Sequence, residues 1–104
     1  MLETKIDYQN EDMFLSFYEN QSLVGKCHLT NQDGEGMDEF LFIQHINSET
    51  KGAGYGRRML QTLRTLGVKS IDGGAFESEE QSYWKHVGAR FVTDTYFELA
   101  LDKV

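Results

Sequence analysis

Proline is absent from this 104-residue chain, and cysteine occurs once, at Cys27. A lone cysteine closes no disulfide within the chain, so a reducing cytoplasm is the expected compartment. No apolar run in it approaches the roughly 20 residues that span a bilayer, so no membrane partner is expected. The opening Met1–Asp7 lacks the charged-then-apolar pattern of a secretion signal. Positive charge is scarce too: ten Lys and Arg stand against 17 Asp and Glu, for a formal charge of -7. So acidic a chain is a poor partner for duplex nucleic acid. Aromatic residues, in contrast, are plentiful, with seven Phe, five Tyr and one Trp. A chain with that much apolar area to bury is not disordered, and its length suits one domain over residues 1–104 with one core.

The few positive charges are gathered in one place. Residues 1–50 carry two basic and ten acidic side chains. Residues 51–69 carry five basic ones (Lys51, Arg57, Arg58, Arg64 and Lys69) and no acidic one. Residues 70–104 return to three basic against seven acidic. A small anion bound at the basic segment fits this distribution.

Hydropathy period divides the chain into elements. Leu2–Tyr8 reads as a short first strand. Met13–Tyr18 and Leu23–Thr30 alternate, with Met13, Leu15 and Phe17 on one face of the first and Leu23, Gly25, Cys27 and Leu29 on one face of the second. Joined by Glu19–Ser22, they predict an antiparallel hairpin. Phe40–Ile46 is almost continuously apolar, the pattern of a central strand covered on both faces. Tyr55–Leu66 has helical period, with Met59, Leu60, Leu63 and Leu66 on one face and Gly67 as the stop. Val68–Phe76 is a further strand. Glu77–Glu80 opens a second helix that runs to Val87, its acidic start matching the positive end of the helix dipole. Arg90–Val92 and Tyr96–Leu101 end the chain as strands, with Phe97, Leu99 and Leu101 inward. The expected class is α/β (α+β): a mixed, mostly antiparallel sheet of about five to seven strands with two main helices, in the order β-β-β-α-β-α-β-β.

The segment Lys51-Gly52-Ala53-Gly54-Tyr55-Gly56-Arg57-Arg58 joins the apolar strand to the first helix. The first turn of a helix presents N–H groups with no internal partner and a partial positive charge. No Ser, Thr, Asp or Asn stands immediately before this helix to cap them. Glycines also remove the Cβ atoms that would keep a ligand off the backbone. Uncovered donors beside Lys51, Arg57 and Arg58 suit a phosphate or pyrophosphate. The segment lacks the Gly-Lys-Ser/Thr ending of a nucleotide-hydrolysing loop, and its glycines at 52, 54 and 56 miss the G-x-G-x-x-G dinucleotide pattern.

Here the chain resembles the GNAT N-acetyltransferase superfamily, whose acetyl-CoA loop reads Arg/Gln-x-x-Gly-x-Gly/Ala. Lys51–Gly56 matches it with Lys in first place. Tyr83-Trp84-Lys85-His86-Val87-Gly88-Ala89-Arg90-Phe91 is similar to the family's later Phe-Tyr-x-x-x-Gly-Phe, with two residues inserted. The resemblance spans roughly residues 12–102. It implies a V-shaped opening between the strands at 40–46 and 68–76 that takes the pantetheine arm. It further implies main-chain pairing of that arm with Gln44, His45 and Ile46. The pyrophosphate would be held by Lys51, Gly52, Ala53, Gly54, Tyr55, Gly56, Arg57 and Arg58, and further contacts would come from Glu77 and Trp84. The implied reaction is direct transfer of acetyl from acetyl-CoA, as co-substrate, to an amine, with no metal.

Departures from the family are specific. Trp84 stands where a Tyr commonly protonates the departing thiolate, and an indole N–H is no usable acid. Glu77 replaces an Asn that often touches the arm. Two helices that usually shape the acceptor pocket have no room, which makes a homodimer attractive. The catalytic candidates are therefore Tyr83 as general acid, with His45 or Glu39 as base. The acceptor is expected to be a cationic small-molecule or protein amine, because most of the remaining surface is acidic. A non-catalytic CoA-binding module, or a regulatory or partner-binding protein, is the alternative that Trp84 and the missing helices favour. Cys27 reads as a small strand hydrophobe, and His28 and His86 as surface or packing residues.

Overall fold

The computed structural model describes residues 2–104. Four strands come first, where the expected order has three before the first helix: β1 (Glu3–Gln9), β2 (Asp12–Glu19), β3 (Ser22–Thr30) and β4 (Phe40–Ser48). Helix α1 (Tyr55–Thr65), strand β5 (Ser70–Gly74) and helix α2 (Ser78–His86) follow, then β6 (Arg90–Phe91) and β7 (Tyr96–Ala100). All seven strands form one sheet in the order β1-β2-β3-β4-β5-β7-β6. The β4–β5 pair is parallel and the others are antiparallel. A parallel neighbour requires a crossover, which α1 supplies.

Both helices lie on one face of the sheet. The alternating residues Met13, Leu15 and Phe17 of β2 are buried there, with Cys27 and Leu29 of β3 and Phe97 and Leu99 of β7. Met59 of α1 packs so closely on β3 that a Cβ on Gly25 would meet its sulfur at 2.5 Å. Trp84 of α2 stacks on Phe97 of β7, ring centroids 4.4 Å apart. Such stacking adds to the large apolar area an indole buries.

Among the described residues no element covers the opposite face, and this corrects the expectation that β4 is covered twice. Leu41 and Ile43 are buried beneath the helices, whereas Phe40 is 60% exposed. Phe14 and Tyr96, which also point away from the helices, are exposed. Leu66, expected in the apolar stripe of α1, is likewise exposed, because it caps the helix past its last packed turn.

Two irregularities re-aim side chains. In the β2–β3 register Phe17 faces Gly25 and Tyr18 faces Leu23, leaving Val24 as an extra residue. Val24 is therefore buried in place of Leu23. In the β3–β4 register Leu29 faces Ile43 and His28 faces His45, so Gln44 is the extra residue. Bulges of this kind bend a strand and turn its side chains.

Candidate functional site

The β4–β5 ladder runs from Phe40↔Ser70 to Ile43↔Gly73 and stops. Strand β4 continues to Ser48, still paired with β3 on its other side. The main chain of Gln44–Ser48 thus has an open edge where β5 has diverged. A cavity of about 700 Å³ occupies this wedge. Its walls are the end of β4, the loop into α1, the first turn of α1 and one side of α2.

The glycine loop acts as the sequence suggests at the level of the backbone. Gly54 is the N-cap of α1 with φ 78°, and no side chain caps the helix. A left-handed φ favours glycine because a Cβ is strained there. The Arg58 N–H closes the first turn on the Gly54 carbonyl at 3.2 Å. No acidic residue lies in that turn. Gly54, Tyr55, Gly56 and Arg57 line the cavity, and among the described residues no carboxylate or hydroxyl caps the N–H groups ahead of Arg58, at the positive end of the helix dipole.

Tyr83 lies across this helix end. A Cβ on Gly56 would stand 2.5 Å from the Tyr83 hydroxyl oxygen, so any larger residue there would displace the ring. The hydroxyl is fully covered and has no hydrogen-bond partner among the described residues. Burial pushes its pKa above the ordinary phenol value, against the opposing pull of Arg57. Tyr83 is therefore a protonated phenol at neutral pH, with no acceptor for its proton among the described residues. Its neighbour Trp84 stacks on Phe97 and meets the Tyr83 ring edge-on, centroids 5.1 Å apart.

Most of the expected binding residues border the cavity. Gln44, His45 and Ile46 do so from β4, Lys51, Gly52 and Gly54 from the loop, and Tyr55, Gly56 and Arg57 from α1. Tyr83 and Trp84 do so from α2. Four others are not brought to the cavity. Ala53 does not line the cavity. Arg58 points away to the β2–β3 turn, where its guanidinium pairs with Glu19 and Tyr55 Oη donates to the same carboxylate at 3.0 Å. These two bonds hold the Glu19 carboxyl below its usual range. Glu77 lies outside the cavity at the N-cap of α2, its N–H donating to Glu80 Oε1 at 3.3 Å. Glu39 sits at the other end of β4, beyond the paired segment, with Lys69 Nζ 3.2 Å from its carboxylate.

Sequence reasoning missed Phe97, which floors the cavity, and Glu79, Glu80 and His86, which face it from α2. His86 lies one helical turn after Tyr83, and that spacing was the available signal. Cys27 is buried, which raises its thiol pKa and removes it as a nucleophile. Among the described residues no group of three or more His, Cys, Asp or Glu is placed to hold a metal ion. No helix there is long and apolar enough to cross a membrane.

No protein-family model matches the chain, and no curated protein is similar to it in sequence. Solved structures are similar in fold. An acetyltransferase from Thermus thermophilus superposes with a TM-score of 0.68 at 16% identity, over 86% of this chain and 64% of that one. A GNAT family acetyltransferase from Elizabethkingia anophelis with acetyl-CoA bound gives 0.64 at 14%, over 86% and 76%. A PaiA N-acetyltransferase from Thermoplasma acidophilum in complex with coenzyme A gives 0.61 at 14%, over 86% and 61%. The seven-stranded sheet with its single parallel pair and two helices is the GNAT fold. The chain spans about two thirds of the length of the Thermus protein.

Proposed function

We propose that the chain binds acetyl-CoA in the β4–β5 wedge and transfers the acetyl group to an amine. The observation that carries this reading is the pairing of an uncapped helix N-terminus with an orphaned, buried phenol across Gly56. The first suits a pyrophosphate and the second suits a departing thiolate. The open edge of Gln44–Ile46 would take the amide-bearing pantetheine arm as an added strand. Lys51 and Arg57 would lie beside the phosphates. Structures of the same fold bound to coenzyme A or acetyl-CoA support the same ligand.

In the reaction, the amine nitrogen attacks the thioester carbonyl carbon. A C–N bond forms and the C–S bond breaks. The thiolate takes the Tyr83 proton, which the tyrosine regains from solvent. Trp84, packed on Phe97, serves as wall and not as acid. The reading of a non-catalytic CoA module shares the binding site and differs only in turnover.

The test is thiol release from acetyl-CoA with a panel of primary amines, run on the wild type and Gly54→Val. A valine at φ 78° strains the loop and covers the amides. Amine-dependent release by the wild type and its loss in Gly54→Val are expected. Coenzyme binding without release would leave the module reading, and undiminished release by Gly54→Val would contradict the phosphate pose.

A further inference from the structure

The two edges of the sheet are unequal. Strand β6 closes one with two residues, whereas β1 leaves the other open along seven. An exposed edge is a template for a further strand, and proteins blunt it with proline, a bulge, a short strand or charge. The chain lacks proline, and the β1–β2 register runs without a shift from Glu3↔Tyr18 to Gln9↔Asp12. Charge is the one guard that β1 carries, and its charges are self-complementary.

The register fixes which main-chain groups of β1 are free. Gln9 and Asp12 close the ladder across the two-residue turn Asn10–Glu11, and the pair flanking such a turn exchanges its hydrogen bonds. Glu3, Lys5, Asp7 and Gln9 therefore bond to β2. The N–H and C=O groups of Thr4, Ile6 and Tyr8 point to the open side. Side chains divide in the same way. Thr4, Ile6 and Tyr8 lie opposite Phe17, Leu15 and Met13 on the helix face, where Ile6 packs against the core and Tyr8 is exposed. Glu3, Lys5 and Asp7 are exposed on the other face.

We propose that β1 is a dimerisation edge, pairing antiparallel with β1 of a second copy of this chain about a two-fold axis at Ile6. Three features agree in that register. The whole of Glu3–Gln9 overlaps its copy. The free groups of Thr4, Ile6 and Tyr8 meet those of Tyr8, Ile6 and Thr4 of the copy, giving about six main-chain bonds. In the closer pairs, which lack hydrogen bonds, Lys5 faces Asp7 of the copy and Asp7 faces its Lys5. A shift of two residues one way sets Lys5 against Lys5, and the other way sets Asp7 against Asp7. A shift of one residue sets free groups against bonded ones. The two-fold register also covers the exposed Tyr8 ring with Thr4 of the copy and continues the helix-side face from one copy into the other. In the sheet, β2 and β3 stand between β1 and the wedge-lining β4, so the dimer and the coenzyme reading stand or fall separately.

Charge reversal leaves the fold in place, because Lys5 and Asp7 are exposed and touch only the Tyr18 ring and Gln9 Nε2. Seven residues a side is small for a specific interface, so sedimentation equilibrium should show a reversible dimer with a Kd on the order of 10–100 μM. Lys5→Asp and Asp7→Lys should each weaken it about tenfold or more, since two attractive pairs become two repulsive ones. The two changes together should restore it, and a mixture of the two single variants should form a heterodimer. Amide exchange at Thr4, Ile6 and Tyr8 should slow as concentration rises, while Lys5 and Asp7 stay protected by β2 throughout. A chain that stays monomeric to about 1 mM would overturn the proposal. A dimer indifferent to the single reversals, or not restored by the double one, would place the contact elsewhere and overturn it as well.

Discussion

Replacing Tyr83 by Phe should move stability and activity in opposite directions. The hydroxyl is covered and unpartnered, and it fills the space where a Cβ on residue 56 would stand. A buried polar group without a partner carries an unrecovered desolvation cost of about 1–3 kcal/mol. Deleting the oxygen removes that cost and opens only a small void, since the ring and its contact with Trp84 remain. A net gain near 1 kcal/mol corresponds to a rise in Tm of about 5 °C for a domain of this size. Under the proposed transferase reading the same deletion removes the proton donor for the thiolate, and kcat should drop by about 10²–10⁴-fold. Differential scanning calorimetry of the free protein and thiol release with a saturating amine read the two effects. A lower Tm would show that the hydroxyl makes a bond in the free protein. Unchanged kcat would remove Tyr83 from the chemistry.

Other outcomes follow from packing and charge. Gly25→Ala would place a methyl 2.5 Å from Met59 Sδ and 2.8 Å from the Asn47 carbonyl oxygen. Overpacking of that kind costs about 1–3 kcal/mol, visible as an earlier urea midpoint, and an unchanged midpoint would mean that β3 and α1 separate easily. Glu19 has a carboxyl pKa lowered from 4.5 by the Arg58 and Tyr55 hydrogen bonds. Its contribution is present above 4.5 and is lost as pH falls through the lower folded value. The acid decline in Tm should therefore be shallower in Glu19→Gln than in the wild type, and parallel profiles would show that the pair adds nothing. Arg57→Ala should weaken coenzyme binding more than Arg58→Ala does, because Arg57 faces the cavity while Arg58 is held by Glu19. Equal losses, measured by calorimetric titration, would contradict that division.

Periodicity made the elements legible. The alternation of Met13, Leu15 and Phe17 and the helical spacing of Met59, Leu60 and Leu63 depend on one face being buried, and each is buried in the structure. The glycine loop was legible because an uncapped helix start after an apolar strand needs few residues to write. The two bulges were not, since one extra residue changes no composition and shifts no pattern until the partner strand is known. The bare face escaped notice for a related reason: Phe40 and Phe42 look alike in sequence whether or not a helix covers them. Arg57 and Arg58 are neighbours that a basic run cannot separate, yet the helix sends one to the cavity and the other to Glu19. Asp12 and His28 meet only through the hairpin register, at a separation of 16 residues that no local spacing marks.

The central claim is that the amides at the start of α1 grip a diphosphate, and calorimetric melting with coenzyme A tests it most directly. At a concentration 100 times its Kd the ligand adds about 2.7 kcal/mol, which should raise Tm by roughly 10 °C or more. The rise should vanish in Gly54→Val. An unmoved wild-type transition at millimolar coenzyme A and acetyl-CoA would contradict the account.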